Sequence, residues 1–331
     1  MGILTPKGEK VLEILRAGYA DAFNRDGDLS KLGGRQHREI AHRMYDRFPS
    51  LLSQPLQVDA RSSTAGRCMI SMFYFCQELQ GLNPSMEISM AASKRDMDFI
   101  VRNEDVDIED TPAMPELEEK ANALFEKAFK TDRIMKSLFT DVRKAESFMD
   151  TMELMEALFN IAGDLPNVPE LGLSIMDVFT KEELFNVFKA FNASVMVSIG
   201  MIPGSTPVYR QQLEARDSLV SVADRVIREG RPALTLRFTH DGTILPLTYL
   251  MGIKEAMGGR TDLENLHKYI SVDKLIPMAA NIQLIFYRKE GSDDVLVKFL
   301  FNENETSLPL ATDCAPYYHW ADVKRYWEGR R

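Results

Sequence analysis

The chain has 331 residues, of which 45% are hydrophobic, and a formal net charge of -9. This length and apolar content allow one large folded domain, with or without an insertion, and exclude a disordered chain. The acidic balance argues against a nucleic-acid partner, because nucleic-acid-binding proteins carry a basic surface that displaces counterions from phosphates.

The first residues show no basic segment leading into an apolar run, so no signal peptide is predicted. No uncharged apolar stretch reaches the roughly 18 residues that a membrane span requires. The three cysteines, Cys68, Cys76 and Cys314, are too few for a disulfide framework and lack the spacing of metal ligands. We therefore predict no metal, no cofactor and no membrane span, and the oligomeric state stays open.

Two amphipathic helices are predicted near the start of the chain, over residues 8–24 and 36–48. A short strand follows over residues 56–60. The loop 61–66 is rich in Ser, Thr and Gly, and it leads into an apolar helix over residues 67–79. The order strand, loop, helix indicates an α/β unit.

From about residue 84 the pattern changes to helices alone. We interpret residues 84–230 as an α-helical cap inserted into an α/β core of residues 1–83 and 231–331. The acidic stretch 104–119 is predicted to be a solvated linker or rim. The predicted helices of the cap are 115–129, 143–162, 181–197 and 208–229.

The α/β pattern returns with a strand over residues 233–238, the Thr-His-Asp-Gly tetrad 239–242 and an apolar helix through Met251. Pro246 is expected in the first turn of that helix, where proline is tolerated. The remaining predicted elements are a hairpin of strands 282–289 and 294–301 and a short aromatic helix over 317–327.

The loop after each of the two strands offers groups that suit a phosphate. Ligands of an open α/β sheet bind beyond the carboxyl ends of the strands, where helix N-termini present free N–H groups. Arg67 would add a bidentate donor, His240 would donate to a phosphoryl oxygen, and Asp241 would carry a proton to a leaving alkoxide. Spacing alone leaves a simpler interpretation open, in which Arg67 is a surface residue and the His-Asp pair forms a turn and helix cap.

The segment 61–75, Arg-Ser-Ser-Thr-Ala-Gly-Arg-Cys-Met-Ile-Ser-Met-Phe-Tyr-Phe, resembles the second phosphate-binding motif of the histidine acid phosphatases. The segment 236–252 resembles the C-terminal His-Asp motif of that family. Further segments are similar to one branch of that family, the inositol polyphosphate phosphatases. They follow the same order as in the family and extend over nearly the whole chain. The matching residues of the first motif are Arg67, Ser71 and Phe75, those of the second are His240 and Asp241, and the further similarities lie at 4–8, 179–183 and 302–310.

The resemblance implies a mixed, largely parallel α/β sheet flanked by helices, with an inserted, mainly α-helical cap. It implies hydrolysis of inositol polyphosphate, phytate or other phosphate monoesters through a phosphohistidine, without a cofactor. Arg67 and His240 would hold phosphoryl oxygens, Arg61 would contact the substrate, and Asp241 would protonate the leaving oxygen. The expected partner is a phosphorylated small molecule such as an inositol phosphate.

One feature of the family has no counterpart in this sequence. The nucleophile of the family lies in an Arg-His-Gly motif ahead of the segment that residues 4–8 resemble, and none of the five histidines here is followed by glycine. This pattern favours an N-terminally truncated chain that lacks the first central strand and the nucleophile, and that is inactive alone. An intact family member would be periplasmic or secreted. The alternatives are a non-catalytic phosphate-binding or inositol-phosphate-binding protein and a scaffold in which the motifs are relics.

The substrate also stays open within the resemblance. The inositol-phosphate branch often has His-Ala-Glu where this chain has His240-Asp241, as acid phosphatases and phytases do. A basic run in the predicted cap would either face a polyphosphorylated substrate or form a solvated helix face. The basic residues are Lys127, Lys130, Arg133, Lys136, Arg143 and Lys144.

Overall fold

A computed structural model of the chain describes residues 2–101 and 115–330 and shows a mixed α/β fold. Strands and surrounding helices confirm the predicted class, with the parallel and antiparallel strands in separate sheets. The parallel sheet has the order β2-β1-β3 and contains β1 (Gln57–Ser62), β2 (Glu87–Ala92) and β3 (Ala233–Phe238). The antiparallel sheet contains β4 (Ile282–Arg288), β5 (Val295–Phe301), β6 (Asn304–Glu305) and β7 (Tyr318–His319).

Helices make up most of the remaining described structure. None of the helices in the described ranges is long and apolar enough to cross a membrane. The α-helices are α1 (Pro6–Ala22), α2 (Lys31–Arg47), α3 (Pro49–Leu52), α4 (Gly66–Leu82), α5 (Pro115–Ala128), α6 (Asp132–Leu138), α7 (Val142–Glu146), α8 (Thr151–Asp164), α9 (Lys181–Ser198), α10 (Leu213–Glu229), α11 (Asp241–Met251), α12 (Val272–Leu275) and α13 (Trp320–Glu328).

The prediction of helices alone from residue 84 is wrong at β2, which pairs in parallel with β1 from Gln57 opposite Glu87 onward. Its sequence, Glu-Ile-Ser-Met, alternates polar and apolar residues with the period of a strand. The sheet therefore extends into the segment assigned to the cap. Residues 104–114 of the predicted acidic linker lie outside the described residues, and residues 115–119 begin α5.

The prediction for Pro246 is also wrong, because α11 begins at Asp241 and the proline lies beyond the first turn. The proline has no N–H to donate to the carbonyl of Gly242, four residues earlier. The helix persists because it is packed into the core, where Pro246 is itself buried and Leu250 and Met251 are fully buried. Tertiary burial here outweighs the local cost of proline.

Helix α4 packs on β1 and β3 and fixes the position of its own first turn. Phe75 of α4 meets Phe238 at the end of β3 edge to face, with ring centroids 5.6 Å apart. Both belong to the packing around a buried cluster that includes Val58 and Ala60 of β1. Burial of such a ring stabilises the fold by roughly 1.5–3 kcal/mol. Helix α4 is thereby held at a set height above the strand ends.

Helix α1 packs against the helices that follow residue 128. Val11 shares a buried cluster with residues of α6, α8 and α9. Thr5 caps α1 by accepting from the N–H of Gly8, and its own hydroxyl donates to the carbonyl of Ser137. The N-terminal helix is thus integrated with part of the segment that the sequence assigned to the cap.

Candidate functional site

Arg67 and His240 lie at the carboxyl ends of two neighbouring strands. Arg67 is the second residue of α4, which follows β1 after a loop of three residues, and His240 is the N-cap of α11, which follows β3. The two strands are parallel and in register, with Ser62 opposite Phe238. Because the two strands end at the same level, the loops that follow them lie at one edge of the sheet.

The side chains of Arg67 and His240 are in direct contact. Nη2 of Arg67 lies 3.2 Å from Nδ1 of His240, and Oγ of Ser63 lies 3.0 Å from Nε2. A guanidinium can only donate, so Nδ1 must accept from Arg67. The proton of the neutral ring then resides on Nε2, which donates to the hydroxyl of Ser63.

The surroundings of His240 favour this neutral form. Burial lowers the pKa of His240 below its ordinary value of 6.5, the positive charge of Arg67 lowers it further, and the carboxylate of Asp241 acts in the opposite direction. At neutral pH the imidazole is therefore uncharged. An anion bound against Arg67 would remove the repulsion and favour protonation of the ring.

Two helices begin at this edge of the sheet without a side-chain cap. Ala65 at the start of α4 has no side-chain oxygen, and His240 makes no capping hydrogen bond to α11. Free N–H groups at the start of α4 and the positive ends of both helix dipoles consequently lie at this edge of the sheet. This arrangement attracts an anion such as a phosphoryl group.

Asp241 is an exposed residue in the first turn of α11. Its Oδ1 accepts a hydrogen bond from the N–H of Gly242 at 2.8 Å. The carboxyl group of Asp241 is therefore open to solvent.

Arg61 is placed differently from its predicted role. Its Nε donates to Asp59 at 2.8 Å, and its Nη1 lies 3.4 Å from Asp96. Alternation along β1 directs Arg61 away from the face on which Val58 and Ala60 pack. Its charge is already paired with two carboxylates, and the described residues give it no contact with Arg67 or His240.

The other two matching residues of the first motif stabilise α4, the helix to which Arg67 belongs. Ser71 is buried and donates its hydroxyl to the carbonyl of Arg67 at 2.8 Å. Phe75 provides the packing against Phe238 described above. Among the basic residues of the predicted cap, Arg133 forms an ion pair with Glu183 through two of its nitrogens. This pairing assigns Arg133 to helix packing.

Sequence reasoning missed two neighbours of the site. Ser63 is completely buried, and its N–H donates to the carbonyl of Phe238 at 2.9 Å, which fixes the hydroxyl beside His240. Gly27 has a positive φ of 73°, and a Cβ there would lie 3.3 Å from Nη1 of Arg67. The only signals were the position of Ser63 at a strand end and of Gly27 in a turn.

No protein-family model and no curated protein sequence matches this chain. Among solved structures, the Bifidobacterium longum multiple inositol polyphosphate phosphatase in complex with inositol hexasulfate has a TM-score of 0.76, with 14% identity over 98% of this chain and 84% of that one. The chain has the fold of that phosphatase. Its apo form has a TM-score of 0.71 at 15% identity, with the same coverage. The D. castellii phytase has a TM-score of 0.59 and 14% identity, over 90% of this chain and 63% of that one.

The fold expected from the resemblance to histidine acid phosphatases is therefore confirmed. At this level of identity the likeness concerns the fold alone. The roles of Arg67, His240 and Asp241 rest on the geometry of this chain.

The electrostatic account of His240 predicts pKa changes of opposite sign in two variants. Arg67→Ala raises the pKa of His240 because it removes a nearby positive charge, and Asp241→Asn lowers it because it removes a negative one. Long-range ¹H–¹⁵N correlation spectra across a pH titration report both values. His42→Gln serves as a remote control, and equal shifts in both site variants would contradict the account.

Proposed function

We propose that Arg67 and His240 bind the phosphoryl group of a phosphate monoester and that the chain takes inositol polyphosphates or related esters as ligands. The observation that carries this proposal is the contact of Arg67 with His240 between two uncapped helix N-termini. The guanidinium, the imidazole and the start of α4 offer hydrogen-bond donors at one edge of the sheet. Convergent, fixed donors are what a phosphoryl group with several oxygens requires.

Binding of a phosphoryl group would replace the direct Arg67–His240 contact with two contacts to the anion. Arg67 would keep its donors, and His240 would become a donor at Nδ1 once protonated. Ser63 can continue to accept from Nε2, so the ring need not turn. The unliganded contact thus holds both side chains near their liganded positions, which lowers the ordering cost of binding.

Asp241 supplies the group for chemistry on the ester. In hydrolysis a water oxygen would bond to phosphorus as the ester P–O bond breaks, and a protonated Asp241 carboxyl would transfer its proton to the leaving alkoxide, giving the alcohol and inorganic phosphate. The same role is implied by the resemblance to the His-Asp motif. In this scheme Arg67 and His240 neutralise the phosphoryl oxygens while Asp241 assists departure.

The second candidate function is phosphate binding without hydrolysis, and the positions of the other histidines favour it for residues 1–331. His42 pairs with Glu78, and His319 is held between Asp294 and Asp313. The rings of His37 and His267 pack against Phe238 and Phe185. A phosphohistidine intermediate requires a nucleophilic histidine in addition to the phosphate ligand His240.

The binding proposal predicts that Arg67→Ala weakens the affinity for inositol hexasulfate roughly 10- to 100-fold, the range expected for loss of a charged hydrogen-bonding group. Isothermal titration calorimetry measures this directly. Sulfate esters stay ionised at low pH, so tighter binding as pH falls reports protonation of His240, and His240→Ala removes that dependence. The matched control is Arg228→Ala, an exposed arginine in the last turn of α10. Equal affinity in wild type and Arg67→Ala would refute the proposal.

Turnover separates the two candidate functions. Residues 1–331 are expected to bind inositol hexakisphosphate without releasing phosphate, because His240 is a ligand and no second histidine lies beside Arg67 in the described ranges. A colorimetric assay of phosphate release from phytate and from an aryl phosphate measures this. Release that disappears in Asp241→Asn would establish the hydrolase instead.

A further inference from the structure

A cluster of potential metal ligands lies far along the chain from the phosphate site, where the C-terminal segment joins the antiparallel sheet. The side-chain ligand atoms of Asp313, Cys314 and His319 lie within 4.8 Å of one another. The Nε2 atom of His319 is 2.9 Å from Oδ1 of Asp313 and 3.9 Å from Sγ of Cys314. The three side chains therefore point at one small volume.

Backbone structure holds these residues together. His319 belongs to β7 and pairs with Leu296 of β5. The preceding turn is closed by the N–H of Tyr317, which donates to the carbonyl of Cys314 at 2.9 Å, and by Thr312, whose hydroxyl donates to the carbonyl of Tyr317. The chain thus reverses before His319 and brings residues 313 and 314 back beside it.

Asp294, the residue before β5, lies on the other side of the His319 ring. Its two carboxylate oxygens both lie 3.0 Å from Nδ1 of His319. A carboxylate at this position accepts a hydrogen bond from Nδ1–H and leaves Nε2 as the nitrogen that faces Cys314 and Asp313. Metal-ligating histidines in proteins are commonly oriented by such a carboxylate on the other ring nitrogen.

We propose that Asp313, Cys314 and His319 bind a zinc ion, with Asp294 orienting the histidine. One sulfur, one imidazole nitrogen and one carboxylate oxygen form a donor set that zinc accepts, whereas magnesium and calcium favour oxygen ligands alone. A tetrahedral zinc site separates sulfur and nitrogen by about 3.6 Å. The present distance of 3.9 Å requires only a small adjustment.

The second adjustment is a movement of the Asp313 carboxylate, whose side chain is free to move. Asp313 must move from hydrogen-bonding distance to about 3.4 Å from Nε2, the oxygen–nitrogen separation of a tetrahedral site. Its side chain is 82% exposed, whereas that of His319 is 31% exposed. Three protein ligands leave the fourth position for water.

The location indicates what the ion would do. His319 is the residue directly before α13, whose Trp320, Val323 and Trp327 are buried in the main core. An ion held by the turn at 313–314 and by His319 would fix this turn to the residue from which the helix begins. The bound ion would stabilise the fold by binding the native state alone.

Titration of metal-free residues 1–331 with zinc chloride, in competition with a chromophoric chelator, tests the site. Wild type is expected to bind one zinc ion, and Co²⁺ in its place is expected to show thiolate-to-metal charge-transfer absorption. Cys314→Ser and His319→Gln should each weaken binding at least about 100-fold, and Asp294→Asn about 10-fold. Circular dichroism establishes that each variant is folded.

His42→Gln is the matched control. His42 likewise lies beside two carboxylates, those of Glu78 and Asp46, but within the described residues it belongs to no group of metal ligands with a cysteine. It should bind zinc as wild type does. Should Cys314→Ser or His319→Gln fail to fold, Asp313→Asn, on an exposed side chain, must still weaken binding about 10-fold. Absence of zinc binding, a cobalt spectrum without thiolate absorption, or unchanged affinity in Asp313→Asn and Cys314→Ser would overturn the proposal.

Discussion

The parallel pairing of β1 with β3 is the constraint on which the candidate phosphate site depends. Because the register places Ser62 opposite Phe238, the residues after each strand emerge at the same height. The packing of Phe75 on Phe238 then sets the position of α4 relative to β3. Hydrogen bonds between backbones and one aromatic contact thus determine that Arg67 and His240 touch, although 173 residues separate them in sequence.

The energetics of the pair explain why it suits an anion. Burial lowers the pKa of His240 and the positive charge of Arg67 lowers it further, so the ring is neutral in the unliganded state. The pair then has one positive charge and lies beside two helix starts whose N-cap residues make no side-chain hydrogen bond. Among the described residues, no carboxylate is in direct contact with the guanidinium of Arg67. A phosphoryl group supplies the missing negative charge and returns a proton to His240. The site is organised before binding and changes mainly in protonation.

Some of the architecture follows from local pattern. The strand 233–238 was predicted with the bounds of β3, because a β-rich run ends there at a His-Asp-Gly turn. The approach of Arg67 to His240 followed from the rule that ligands bind at the carboxyl ends of parallel strands. Such inferences need only periodicity and chain order.

Other features depend on contacts that no local pattern encodes. The ion pairs of Arg61 with Asp59 and Asp96 depend on the phase of β1 and on a segment 35 residues away. The placement of Ser63 beside Nε2 of His240 depends on the backbone hydrogen bond from its N–H to Phe238. The cluster of Asp313, Cys314 and His319 was absent from the sequence prediction because the turn closed between Cys314 and Tyr317 and the pairing of β7 with β5 are what bring its side chains together. Tertiary structure supplied these features.

The central claim is that Arg67 and His240 are jointly the ligands of an ester phosphate. A crystal structure of residues 1–331 with inositol hexasulfate tests it most directly. The account predicts one sulfate group between the guanidinium of Arg67 and Nδ1 of His240, with oxygens about 3 Å from both, and with the backbone N–H groups at the start of α4 and α11 directed at it. A ligand bound elsewhere, with the Arg67–His240 contact intact, would contradict it.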